Sequence, residues 1–159
     1  MLRARCKRRG EGVTMPAPIQ LARPEDLDAV FALLSANGLP LDGLAEHLGT
    51  LLVVRRAGQV IGSAALEMYA DGALLRSVAV CAEERGRHHG RALVDAAIQL
   101  AADHHVQAVY LLTTTAAEYF LERGFERVGR EDVPASVRTS VEFTAACPAS
   151  ATVMRRRLE

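Results

Sequence analysis

Leu74-Leu-Arg-Ser-Val-Ala-Val-Cys-Ala-Glu-Glu-Arg-Gly-Arg-His-His-Gly-Arg-Ala-Leu-Val94 is the stretch that decides how this 159-residue chain reads. Its apolar, β-branched start predicts a buried strand over Ala73–Val80. A charged, glycine-bearing loop follows at Arg85–Gly90, and a helix runs from Gly90 to about His105 with Leu93, Ala97, Leu100 and Ala101 on one face. The first backbone N–H groups of a helix lack intrahelical partners, and with the helix dipole they attract anions. Gly86 and Gly90 let a ligand approach the backbone closely, and Arg85, Arg87 and Arg91 supply positive charge. This is not a Walker loop, which needs G-x-x-x-x-G-K-[ST]; the only lysine in the chain is Lys7. Nor is it a dinucleotide G-x-G-x-x-G.

Upstream, Ile19-Gln20-Leu21 reads as a short strand. Pro24, Glu25 and Asp26 suit a helix start, and Leu27, Val30, Phe31 and Leu34 repeat with helical spacing up to Asn37-Gly38. A second short helix is expected over Leu41–Leu48. Leu51–Arg56 and Val60–Met68 form a predicted hairpin around Ala57-Gly58-Gln59, and Asp71-Gly72 turns into strand 73–80. Downstream come strand Ala108–Leu112 and a helix opened by the capping box Thr115-Ala-Ala-Glu118 and closed at Gly124. A strand near 126–130, a short helix near Ser140–Ala146 and a last strand over Thr152–Leu158 follow. A strand meander followed by alternating strands and helices predicts an α/β fold with a mixed, largely antiparallel central sheet flanked by helices.

At this length one domain is expected, 16–159, with roughly 70% of the unfolded chain's surface buried. Half the residues are hydrophobic, too many for a disordered chain. Aromatics are 4% and Trp is absent, which disfavours single-strand nucleic-acid binding by stacking. Residues 1–15 hold five basic side chains against Glu11, so the rest of this formally neutral chain carries −4. A folded part at −4 is a poor generic polyanion binder, so nucleic acid is not an expected partner. The basic start has no apolar core, which predicts a disordered tail or a non-native start with the natural one at Met15. No apolar run approaches a membrane span. Cysteines at 6, 81 and 147 are odd in number and far apart. That predicts free thiols, a cytoplasmic protein and no metal site; the His88-His89 and His104-His105 pairs lie too far apart along one helix to share an ion.

Two segments carry a family resemblance. Arg85-Gly86-Arg87-His88-His89-Gly90 after a strand resembles the R/Q-x-x-G-x-G/A signature of the GCN5-related N-acetyltransferase (GNAT) superfamily. Ala117-Glu-Tyr-Phe-Leu-Glu-Arg-Gly-Phe125 resembles that family's A-x-F-Y-x-x-x-G-F. The resemblance covers about 18–158. A narrower likeness, to acetyltransferases named for arsenic-resistance gene clusters, is carried by Leu111-Leu-Thr-Thr-Thr-Ala116, Val133-Pro-Ala-Ser-Val-Arg138 and Cys147-Pro-Ala-Ser150.

The resemblance implies acetyl-CoA-dependent transfer of an acetyl group to the amine of a small molecule, linked through the narrower likeness to arsenic or toxic-compound resistance. It implies that acetyl-CoA lies over Arg85, Gly86, Arg87, His88, His89, Gly90, Arg91 and Ala92. Its pantetheine arm would pair with Val78, Ala79 and Val80, and an N–H near Val80 would hold the developing oxyanion. Glu67, the only carboxylate within strand 60–68, is the candidate general base. Tyr119 is the candidate acid, although the family tyrosine aligns with Phe120. His88 replaces the signature's central glycine; protonated, it would add positive charge. With Phe120, this departure keeps open a second reading, a non-catalytic acyl-CoA sensor. Family members often pair through C-terminal strands, which implies a homodimer.

Overall fold

In the computed structural model, which describes residues 17–158, seven strands form one sheet in the order β1-β2-β3-β4-β5-β7-β6. They are β1 (Ile19–Leu21), β2 (Leu51–Arg56), β3 (Gln59–Tyr69), β4 (Gly72–Val80), β5 (Ala108–Thr113), β6 (Glu126–Val128) and β7 (Thr152–Arg157). β4 and β5 pair in parallel. The pairs β1–β2, β2–β3, β5–β7 and β6–β7 are antiparallel. The chain thus forms the mixed, largely antiparallel α/β sheet that its pattern predicts. The expectations for the basic tail and for Cys6 fall outside the described residues. Among the described residues, no helix is long and apolar enough to cross a membrane.

One compact unit comprises the described residues up to Ala65 together with Ser77–Ala96. Pro24–Asp26 forms a tight turn that leads into α1 (Leu27–Ala36), whose Val30, Leu33 and Leu34 are buried. An ion pair from Arg55 on β2 to Asp26 ties that turn to the sheet. The helix expected over Leu41–Leu48 is instead a 3₁₀ segment, Leu44–Thr50. Gly43 before it takes φ +74, and His47 leaves helical geometry at φ −112, ψ 25, so an α-helix cannot propagate through either. Gly62 on β3 is a close-approach position: a Cβ there would lie 2.9 Å from Leu93 Cδ1 and 3.3 Å from the Ala79 carbonyl oxygen. The strand turns irregular at Ser77, where φ is +58. The buried Ser63 hydroxyl donates to the Ser77 carbonyl at 2.8 Å and braces that irregularity.

The other unit comprises Leu66–Arg76 and the described residues from Ala97 onward. Ala73 and Leu74 pair with Val109 and Tyr110, and β7 lies between β5 and β6, with Ala108 opposite Arg157 and Glu126 opposite Arg155. Leu74, Ala108, Tyr110, Val133, Val137 and Val153 form its core. The capping box expected at Thr115 does not form. α3 (Ala117–Leu121) begins after Ala116, whose N–H donates to Thr113 Oγ1 at 2.9 Å. The helix itself has no side-chain cap. Gly124 closes the segment at φ +86. Between β6 and β7 lie α4 (Ala135–Arg138) and one wide turn, Glu142–Ala146, rather than a single helix.

Candidate functional site

α2 (His89–Asp103) starts where the arginine-rich loop ends. His88 is its N-terminal flank: its carbonyl accepts from the Ala92 N–H at 3.1 Å, while its φ of +64 puts it in the left-handed region. Glycine enters that region freely, whereas a Cβ costs about 1–2 kcal/mol there. Histidine is among the residues that tolerate it best. The loop therefore keeps the backbone turn that glycine would provide, with the imidazole turned out to solvent. His88→Gly relieves that strain but restores freedom to the unfolded chain, about 0.4–1 kcal/mol. A net stabilisation of roughly 0.5–1 kcal/mol is expected, read as a higher denaturation midpoint.

The loop's other groups divide. Arg85 reaches away, donating to Asn37 Oδ1 at 2.5 Å, and Arg91 faces Asp95 at 4.0 Å. Gly86, at φ +80, has open space where a side chain would stand. Arg87 and His89 turn toward Glu84, a carboxylate that the sequence reading passed over. It is 5% exposed. Arg56 Nη1 approaches it at 3.2 Å, His89 Nε2 at 3.4 Å and Arg87 Nη1 at 3.6 Å. On β4, Ala79 is buried while Val78 and Val80 are half-buried, the alternation of a strand with one sealed face.

In the other unit Glu67 is 1% exposed. Arg76 Nη1 lies 2.9 Å from its Oε2, and the Tyr69 hydroxyl donates to its Oε1 at 2.5 Å. The Arg76 Nε meets Glu142 Oε1 at 3.1 Å, and the Cys147 thiol donates to Glu142 Oε2 at 2.6 Å. Burial and the Glu142 carboxylate push the Cys147 thiol up to about 12. Burial and the bond to Glu67 do the same to the Tyr69 phenol, to about 12. Both groups hold their protons more tightly folded than unfolded. Stability is therefore full below their ordinary values, near 9 and 10, and is lost as pH climbs from there toward 12. Thermal melts between about pH 8 and 11 should fall steadily, and Cys147→Ala should flatten the first part of that fall. A melting temperature independent of pH over this range would contradict the arrangement.

Tyr119 stands on α3 with its hydroxyl buried and without a hydrogen-bond partner among the described residues. The Arg123 guanidinium lies over its ring at 4.9 Å. Its neighbour Phe120 is 7% exposed and meets Phe125 edge-on at 5.6 Å, so the position aligned with the family tyrosine is filled by core packing. Neither Cys81 nor Cys147 is in a disulfide. Among the described residues, no three His, Cys, Asp or Glu side chains gather as a metal-holding group.

A model of the acetyltransferase (GNAT) family matches residues 19–127. The chain is 28% identical over 131 residues to an amino-acid acetyltransferase of Pasteurella multocida, covering 81% of this chain and 29% of that protein. It is 31% identical over 134 residues to an uncharacterised N-acetyltransferase of Chlorobaculum tepidum, covering 77% and 86%. The chain therefore spans less than a third of the amino-acid acetyltransferase it matches, and most of the second relative. Its fold resembles that of N-acetylglutamate synthase from Neisseria gonorrhoeae, solved with coenzyme A and N-acetyl-glutamate. The TM-score is 0.79 at 23% identity over 92% of this chain and 36% of that one. Rv2747 from Mycobacterium tuberculosis, solved in complex with CoA, gives a TM-score of 0.76 at 26% identity over 89% and 99%.

Proposed function

Because the chain belongs to the acetyltransferase (GNAT) family, we propose that it transfers the acetyl group of acetyl-CoA to the amine of a small molecule, and that the amine is the α-amino group of an amino acid. The loop carries this reading. A glycine-like turn at His88, open first-turn N–H groups of α2 and the exposed Arg87 and Arg91 make a cradle for the pyrophosphate of CoA. The amino-acid acceptor is supported by the relative from Pasteurella multocida, an amino-acid acetyltransferase.

When bound, acetyl-CoA supplies an activated thioester; the residues supply the proton traffic. Glu67 is the base. Being sealed, it takes the amine proton through the Tyr69 hydroxyl that already donates to it. Tyr119 is the acid, since its buried hydroxyl is committed to no partner among the described residues. The narrower likeness to arsenic-cluster acetyltransferases adds one expectation: expression of the chain raises tolerance to a toxic amine that it acetylates. A homodimer through the C-terminal strands, in a cytoplasmic setting, completes the reading; sedimentation showing only monomer at micromolar concentration would remove the dimer.

The test is thiol release from acetyl-CoA across a panel of amino acids and other small amines, with the product identified by mass spectrometry. Acetylated amino acid supports the reading. Thermal stabilisation by CoA with no product from any amine supports the sensor instead, which the burial of Phe120 favours. Neither stabilisation nor product overturns both.

A further inference from the structure

We infer that Glu84 is a positioning residue for the phosphate-binding loop, acting through Arg56 and Arg87, and that Arg56 on β2 is itself part of the loop's charge. This rests on the reading of residues 85–92 as the acetyl-CoA site.

The observation is a convergence. Glu84 sits in the short turn Ala82–Glu84, just ahead of the loop, and is 5% exposed. Around it gather a guanidinium from β2, a guanidinium from the loop and the ring of the first residue of α2. A buried carboxylate is costly unless paired, and here the pairing draws on three separate elements. The two guanidinium side chains remain 34% and 40% exposed. Arginine has five N–H donors in a fixed fork. Arg56 donates through Nη1 to Glu84 Oε1 at 3.3 Å and Arg87 is held at ion-pair distance, 3.6 Å, while the exposed parts of both forks are left for an anion. Without Glu84, two guanidiniums and the positive end of α2 would crowd one another with nothing to order them, and a ligand would meet the entropy of fixing both side chains.

Glu84 therefore acts before the ligand arrives, by holding Arg56 and Arg87 in the orientation in which a phosphate meets them. Arg56 is remote in sequence from the loop; β2 delivers it there. Glu84 need not touch the ligand, and its effect passes through charges that only the phosphate-bearing part of CoA can sense.

Three binding measurements test this on the full chain. In Glu84→Gln the carboxamide keeps the shape and removes the charge. CoA affinity should fall about tenfold, while pantetheine, which lacks the phosphates, binds as it does to the wild type. Arg56→Ala should weaken CoA by a similar factor. In the double variant Glu84→Gln/Arg56→Ala the loss should stay well short of the hundredfold that independent effects would multiply to. Glu84→Asp, which keeps the charge, should recover part of the affinity and shows that the folded loop is intact.

The inference is overturned if folded Glu84→Gln binds CoA as tightly as wild type or more tightly. It is overturned equally if pantetheine loses the same factor as CoA, or if the two substitutions multiply. Failure of the underlying reading looks different: wild-type protein would then show no CoA binding that depends on Gly90, whatever stands at 84.

Discussion

A folded Gly90→Val variant binds CoA about a hundredfold more weakly than the wild type, a loss of roughly 2.8 kcal/mol. Gly90 is the second residue of α2 and is half-buried. It lies within the first turn, whose N–H groups face outward without intrahelical partners. Valine is a better helix residue than glycine at an ordinary position, so the helix should form and the fold persist. What changes is the surface. A branched side chain next to the open N–H groups keeps a phosphate at a distance where a hydrogen bond to them cannot be made. Isothermal titration with CoA, beside circular dichroism to confirm folding, decides the matter. Unchanged affinity in the folded variant would remove residues 85–92 from the cofactor site.

Arg76→Met should cost about 3–5 kcal/mol of stability at neutral pH, the usual penalty for breaking a buried ion pair from one side. Arg76 stands between Glu67 and Glu142, with all three side chains 7% exposed or less. Methionine fills the space but leaves two carboxylates facing each other without a cation. Replacing Glu67 and Glu142 by glutamine in the same variant should recover much of the loss, since the pair contributes little net once all its charges are gone. Urea unfolding at about pH 7.5 reads both effects. A loss below about 1 kcal/mol would show that Arg76 does not hold this cluster together.

The sheet was legible in the sequence because its strands announce themselves locally. β2 and β3 are continuous apolar runs with a turn between them, and the strand–loop–helix at 74–94 combines three local signals in one place. What failed were features decided by a competing partner. Thr115 and Glu118 have the right spacing for a cap, yet the helix starts one residue later, with Ala116 at its N-cap. Leu41–Leu48 has helical spacing, yet Gly43 and His47 break the backbone. Glu84 and Arg56 could not be joined by reading along the chain, because nothing local says that the end of β2 lies beside the turn after β4. Glu67 was singled out for its isolation among apolar neighbours. That isolation points equally to a buried ion pair; its partner Arg76 comes from β4, and Glu142, the second carboxylate on Arg76, from a turn whose geometry no periodicity reveals.

The position of β7 between β5 and β6 has a consequence for synthesis on the ribosome. β6 is made before β7, yet among the described residues β7 is the only neighbour it has in the sheet. Until residues 152–157 emerge, β5 presents one open edge and β6 has no strand to join; exposed edges of this kind invite pairing with other chains. Met154, fully buried on β7 opposite Leu111 and Arg127, is then the residue whose arrival closes both edges. Substitutions there should lower the yield of soluble protein in cells by more than their effect on the purified protein's stability would suggest.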